Sequence, residues 1–488
     1  MDDLLQKTKD KLVDLVRNGS FEFGKELATQ GLKVFDDLIL KQYLGICCLG
    51  MQQYEEAKTI FENNVASDGL AEDYNNLSIC LRFLKQYDLA HENGLKSIEL
   101  QKNNPSFFAN LATTLAIQKD YHGALDYITK ALTLSPSTSS FWYDKANLHL
   151  AIRDLSNAEE CYRASLRLKP INEKYCVDLF YCMAFQYKFP EAWKFYEFRY
   201  NTMPHVANII NRSRLPVLLE KKDFYEEKIV ISFEQGYGDN MMFLRFLKYF
   251  QKIAPNSYLL IQDSNLGSYV EKLGICYKKN IEKNTDKIVC LMSLPYHLNV
   301  AEIPPPEYLF EHRPQISDKI KIGICWAGSA LHPMDYQRST YLKWYWQFFD
   351  NENCEIYGLV KDRRPRMHKE NQNIVDFFED CVDLPIIDLS TKMDTVLDTI
   401  NALQSIDILV TVDTFLAHIA GTIKVPTYLI LSNLPDWRWG LYGDSTPWYP
   451  SFKIIRQQDE AFDQTVQNAY EKIRSDYSLL ISKDKKIN

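Results

Sequence analysis

The sequence predicts a multidomain chain, with an N-terminal all-α solenoid of paired helices followed by an α/β region built as two Rossmann-like halves. Three observations predict it. One small residue recurs at a fixed step through the first two hundred positions. The hydrophobic period changes after residue 204, and short β-rich runs then alternate with helical stretches. At 488 residues the chain is too long for a single core, so two or three domains are expected.

The repeat is visible before any local motif. Ala90, Ala124, Ala158 and Ala192 follow one another at 34 residues, and Ala57 precedes Ala90 by 33. Tyr74, Phe108 and Trp142 keep the same step as the large aromatic of a first helix. Tyr87 and Tyr121 end the turn after it, and Pro136 and Pro170 close the second helix. In FFANLATTLAIQKDYHGALDYITKALTLSP the alanine falls where two amphipathic helices must approach closely. This resembles the tetratricopeptide repeat, and roughly five to six units fit between residues 7 and 203, the first of them degenerate. Stacked pairs bury their apolar stripes on one another and leave a long concave face that suits a peptide or another protein. Asn76, Asn110 and Asn147 recur on successive first helices as candidates to bind an extended peptide backbone, although most residues of such a face serve packing.

After 204 an extended connector is expected to about 227. The first α/β half, 228–315, has strands at 228–233, 257–262 and 287–292, a helix from about 240 to 253 and a short helix near 265–273. Pro304, Pro305 and Pro306 exclude helix interior and central strand, and mark a hinge. The second half, 316–488, has strands at 319–326, 355–360, 385–390, 407–412, 426–431 and 452–456, then a helix at about 462–472. Two such halves joined by a proline-rich hinge and closed by a C-terminal helix describe the GT-B architecture.

Composition bounds the function classes. A formal net charge of −8 and a pI near 5.7 argue against nucleic acid or an anionic membrane as the main partner. The N-terminal MDDLLQKTKDKLVDLV lacks the features of a secretory signal, and no run is long enough to span a bilayer. Eleven scattered cysteines without a C-x-x-C pair suggest neither a disulfide framework nor zinc, so a cytoplasmic protein without metal is expected.

Chemistry-bearing residues gather where strands end. In FEQGYGDN, Gly236 and Gly238 allow a tight turn, and Asp239 is either a helix cap or a general base facing a cleft. In ICWAGSALHPMDYQRST, Gly328 and Ser329 offer amides to phosphate. Arg338 either neutralises a diphosphate leaving group or pairs with a surface acid, and Lys361 has the same two readings. In VTVDTFLAHIAG, Asp413 and Thr414 stand at a helix start with His418 one turn along, the kind of helix terminus that receives phosphate. Trp437 and Arg438 lie in an aromatic loop, LPDWRWGLYGDSTPWYPS, that packs on a nucleotide, a sugar or the domain edge. Strand ends converging on one edge favour a shared nucleotide site over separate caps.

These motifs, in this order after tetratricopeptide repeats, resemble bacterial repeat-containing glycosyltransferases whose catalytic half is similar to the family 9 heptosyltransferases. The resemblance covers essentially the whole chain. It implies inverting, metal-independent transfer from a nucleotide sugar, with no cofactor, Asp239 as base, and Asp413, Thr414, His418, Lys361 and Arg338 around the donor diphosphate. The acceptor is then expected to be a protein held by the repeats, with a flagellin-like surface protein as one class, or alternatively a glycan or lipid-linked sugar. A third reading is a repeat adaptor without turnover. Two departures from the family stand out: the first sheet shows only about three strands, and Phe415 replaces a small residue.

Overall fold

The computed structural model describes residues 2–477 except 68, 221–223, 262–263, 307–309, 313–317, 333–334, 362–365, 368–373, 376–383 and 459–460. Position 262 of the second predicted strand, 307–309 of the proline-rich stretch and 333–334 of the loop before Arg338 therefore lie outside the described residues. The chain forms two compact units, Met1–Tyr175 and Cys176–Asn488.

The first unit is helical throughout. Its antiparallel pairs are Asp2–Arg17 with Phe21–Leu32, Leu38–Gly50 with Tyr54–Ala66, Ala71–Phe83 with Tyr87–Leu100, Pro105–Ile117 with Tyr121–Leu134, and Ser139–Ala151 with Leu155–Leu168. Ala57, Ala90, Ala124 and Ala158 each sit on a second helix with no exposed surface, which is why the 34-residue step tolerates only a small side chain there. The turn within a pair also repeats. Gln52, Lys85, Lys119 and Arg153 adopt left-handed backbone, with φ between 61° and 66°. The next amide then reaches back to the helix: Gln86 N–H donates to the Leu81 carbonyl at 2.8 Å, and Asp120 N–H to Leu115 at 2.9 Å. The pair Glu173–Ala184 and Phe189–Tyr196 uses the same turn, with Tyr187 at φ 57° and Ala192 fully buried.

In the second unit the expected extended connector begins as a helix, Pro204–Ser213. Pro204 takes the first helical position, where its missing N–H costs nothing, and Val206 is buried. The chain extends only after Arg214, and Val217 then bridges to Ile288 beside the first sheet.

That sheet has four parallel strands rather than three: β1 (Ile229–Ser232), β2 (Tyr258–Leu260), β3 (Tyr277–Lys278) and β4 (Lys287–Cys290), in the order β3-β2-β1-β4. β3 is two residues long, below what hydrophobic periodicity can register. The helix expected from 240 starts earlier, at Tyr237, and a 3-10 turn at Leu244–Phe246 interrupts it. Arg245 in that turn is buried and donates to the carbonyls of Pro304 and Trp448 at 2.9 and 2.8 Å.

The second sheet holds the six predicted strands, all parallel: β5 (Ile320–Cys325), β6 (Cys354–Gly358), β9 (Ile386–Asp388), β10 (Ile408–Val412), β11 (Thr427–Leu431) and β12 (Phe452–Arg456). A small antiparallel hairpin, β7 (Arg366–Met367) with β8 (Ile374–Val375), intervenes in sequence. The order β12-β11-β10-β5-β6-β9 reverses between β10 and β5, so the loops leaving these strands diverge and open a crevice at their carboxyl ends. β10 is buried along its whole length, which accounts for its unbroken apolar run. The helix Phe462–Asp476 closes the unit.

If the repeat step is a packing constraint, Ala124→Leu overpacks a closed helix contact. Unfolding in denaturant should then show a loss of about 1–3 kcal/mol.

Candidate functional site

The carboxyl ends of β1, β5, β6, β9, β10 and β11 open onto one cavity of about 920 Å³ within the second unit. Gly236, Gly238 and Asp239 line it from the first sheet. Gly328, Ser329, Arg338, Lys361, Asp413, Thr414, His418 and Arg438 line it from the second. The structure thus brings together every candidate named for that region except Trp437. Trp437 is buried on the far side of its loop against Phe180, Trp193 and Trp448, with ring centroids 5.3, 6.2 and 5.9 Å away.

β1 hands over to the site through Glu234. Its carboxylate accepts from Arg199 Nε at 2.7 Å and Nη2 at 2.8 Å, and from the Met292 amide at 3.0 Å, all fully buried. Arg199 also reaches the Tyr196 carbonyl, Glu197 and Ser293. The Gln235 amide donates to Tyr196 Oη at 2.9 Å, and the Asn240 amide donates back to the Gln235 carbonyl. Helices Phe189–Tyr196 and Arg199–Thr202 therefore hold the 234–240 turn rigidly, a connection that no local sequence signal announces.

Gly236, not Asp239, is the helix N-cap, so the simple capping reading of Asp239 fails. Asp239 stands in the first turn, ion-paired with Arg438, which also holds Asp436 at 2.9 Å. Burial outweighs the guanidinium and pushes the Asp239 carboxyl above its ordinary value. Burial likewise lifts Asp436 to about 6. Among the described residues Arg438 Nε has no partner.

Gly238 has a packing reason: a Cβ there would meet the His418 ring at 2.7 Å. His418 itself is buried, stacked on Trp439 at 5.4 Å, with Nδ1 3.1 Å from Tyr449 Oη. Burial and the nearby Arg438 depress its pKa to about 3, so the imidazole is neutral near pH 7 and contributes shape and hydrogen bonding rather than charge.

Thr414 occupies the N-cap of the helix Phe415–Thr422 but makes no side-chain cap bond. Its hydroxyl lies instead 3.4 Å from that of Thr411, so the first amides of the helix are left without a capping side chain at the cavity. The Gly328 amide is engaged by Ser339 Oγ at 3.1 Å, which removes it as a ready phosphate donor. Arg338 lies flat over Gly328, since an added Cβ would meet its guanidinium at 2.7 Å, and Nη1 donates to the Asp413 carbonyl at 3.0 Å. Lys361 donates to the Met393 carbonyl at 2.6 Å and approaches Asp394 at 3.3 Å, with its side chain more than half exposed.

Residues not anticipated include Asp436, His332 and Thr395. Thr395 caps Val396–Gln404 in a reciprocal box with Asp398, presenting a second helix N-terminus to the cavity. The T-x-x-D spacing at 395–398 was the available signal.

In the first unit, Asn110 Nδ2 donates to Asn75 Oδ1 at 2.9 Å, and Asn75 Nδ2 approaches Asn76 Oδ1 at 3.4 Å. Asn147 instead accepts from Tyr162 Oη at 2.6 Å, so it does not join that ladder.

Among the described residues no group of three His, Cys, Asp or Glu is placed to hold a metal ion, and no helix is long and apolar enough to cross a membrane. A search of curated proteins gave no match. Among solved structures the chain is similar to MamA of AMB-1, at 19% identity over 33% of this chain and 98% of that one, TM-score 0.29. It is also similar to pilF of Pseudomonas aeruginosa, at 17% over 44% and 98%, TM-score 0.38. YrrB, described as a TPR protein with an unusual peptide-binding site, matches at 17% over 33% and 85%, TM-score 0.28.

The buried Glu234 link sets an expectation for stability. Glu234→Gln leaves buried Arg199 with Glu197 alone as a charge partner, and chemical denaturation should register a loss of about 2–4 kcal/mol. Gly238→Ala should cost about 1–3 kcal/mol by crowding His418. The helical repeats themselves match a known family: residues 139–172 fit the model of the tetratricopeptide repeat, and the N-terminal region is an array of such helix pairs ahead of an α/β region.

Proposed function

We propose that this chain is an inverting, metal-independent glycosyltransferase of GT-B type. In this reading it moves a sugar from a nucleotide-activated donor to a Ser or Thr hydroxyl of a protein recruited by the repeats. The observation that carries the reading is the cavity at the strand ends of two parallel sheets, with a half-buried carboxylate on one wall and an uncapped helix start with two basic side chains on the other. The order of the chain's motifs, which resembles that of the family 9 heptosyltransferases, supports the same chemistry.

Asp239 takes the proton of the acceptor hydroxyl as its oxygen attacks the anomeric carbon from the side opposite the leaving group. The bond from that carbon to the phosphate oxygen breaks, and the nucleoside diphosphate departs with the electron pair. Arg338, Lys361 and the amides beginning the helix after Thr414 stabilise it. A carboxyl raised by burial is a stronger base than an exposed one, which suits the role. Arg438 clamps Asp239. An incoming diphosphate gives the guanidinium a third anionic partner beside Asp239 and Asp436 and loosens that clamp. A cytoplasmic location follows if the donor pool lies there, and a flagellin-like surface protein is one acceptor class. The clamp also favours a second reading, a repeat adaptor whose α/β region binds nucleotide without turnover.

Purified protein with a nucleotide-sugar pool and candidate acceptors decides between them by a sugar-sized mass increment on the acceptor. Asp239→Asn should lower turnover by about 10²–10⁴-fold, and full activity in that variant removes the proposed base. Nucleotide binding without any increment supports the adaptor. Binding should also depend on pH. Asp436 is neutral below about 6 and negative above it, so affinity for the diphosphate should fall up to about tenfold between pH 5 and 7. Calorimetry on Asp436→Asn should show a flatter profile than the native chain.

A further inference from the structure

Two aromatic rings sit where the reaction proposed above must place the transferred sugar. Tyr237 lies between Gly236 and Gly238, two residues before Asp239, and Phe415 follows Thr414 as the first residue of its helix. Their ring centroids are 5.7 Å apart at an interplanar angle of 43°, and both line the cavity. In the neighbouring aromatic loop Trp437, Trp439, Trp448 and Tyr449 are at most 5% exposed and Tyr442, outside the cavity, is 61% exposed; Tyr237 is 51% exposed and lines the cavity. Leaving a ring open to water at the mouth of a cavity forgoes burial free energy unless a ligand covers it.

We infer that Tyr237 and Phe415 form a binding platform for the ring of a neutral pyranose. The inference rests on the transferase reading and specifies its substrate. In an inverting displacement the sugar lies between the base and the leaving diphosphate. Tyr237 stands on the base side of the cavity and Phe415 on the side of the helix start. The carbon face of a pyranose carries C–H bonds of slight positive charge, and an aromatic face is negative, so the two attract. The charges around the platform select against an acidic sugar. Asp239, Asp413 and Asp436 all line this cavity, and Arg438 is already shared between two of them. A uronate or other carboxylated sugar would bring a further negative charge beside these three carboxylates, while Arg438 is held by two of them and Arg338 by Asp335 and the Asp413 carbonyl. Phe415, in place of the small residue of the family it resembles, supplies the other half of the platform.

Calorimetry on the full chain tests this with UDP, GDP and dTDP and with paired conjugates: UDP-glucose against UDP-glucuronate, GDP-mannose against GDP-mannuronate. The native chain should bind the neutral conjugate more tightly than the bare diphosphate, and the acidic conjugate more weakly than the neutral one. Phe415→Ala and Tyr237→Ala should lose about tenfold in affinity for the neutral conjugate while holding the bare diphosphate within about twofold, and Tyr237→Phe should retain native binding. Equal losses for conjugate and diphosphate, or no loss in either alanine variant, overturn the platform while leaving the nucleotide site in place. Equal binding of acidic and neutral conjugates overturns the selection for a neutral sugar. If the native chain binds none of the diphosphates, the transferase reading itself fails, and the platform with it.

Discussion

The buried pairing of Arg199 with Glu234 is the constraint on which the rest of the site depends. Removing two full charges from water is costly, by several kcal/mol per ion even after relaxation, and it is tolerated here because nearly every donor and acceptor is matched. Two parallel bonds join guanidinium to carboxylate, while a backbone carbonyl, Glu197 and Ser293 take the remaining N–H groups. The outcome is a turn after β1 with one geometry. The helix beginning at Tyr237 inherits that geometry, and so does the position of Asp239. Helices that the repeat pattern assigns to the solenoid thus take part in shaping a pocket of the α/β region, inside one compact unit.

Around Asp239 the electrostatics are arranged by exclusion of water as much as by charge count. Two carboxylates share one guanidinium, and both are raised by burial. His418, the only imidazole of the D-T-x-x-x-H segment, is driven the other way and kept neutral. Its contribution is steric: with Gly238 against one edge and Trp439 stacked on its face, it sets the separation of the two helices that bound the cavity.

What could be read in advance followed from periodicity. The alanine step located the helix pairs from Leu38 to Tyr196, because a small side chain is required wherever two helices nearly touch, while the first pair, Asp2–Arg17 with Phe21–Leu32, falls outside the step. The apolar runs located the six strands of the second sheet because parallel strands are covered on both faces. Features without a period escaped. β3 contributes two residues, and Pro204–Ser213 begins with a proline that reads as a breaker although it is acceptable at a first helical position. The convergence of Asp239 with Asp413 and His418 was legible from strand order. The commitment of the Gly328 amide to Ser339, the turning of Trp437 away from the cavity and the capture of Asn147 by Tyr162 were not, because each depends on a partner distant in sequence or on a side-chain direction.

The left-handed turn residues Gln52, Lys85, Lys119, Arg153 and Tyr187 recur at steps of 33, 34, 34 and 34. None is glycine, so the geometry is imposed by the reach-back hydrogen bonds rather than by an intrinsically permissive residue. These five junctions consequently share one shape while their surface chemistry is free to vary from one to the next. Such an array can be lengthened or shortened by whole modules during evolution, and each module can be retuned for a new partner without disturbing how the next one stacks.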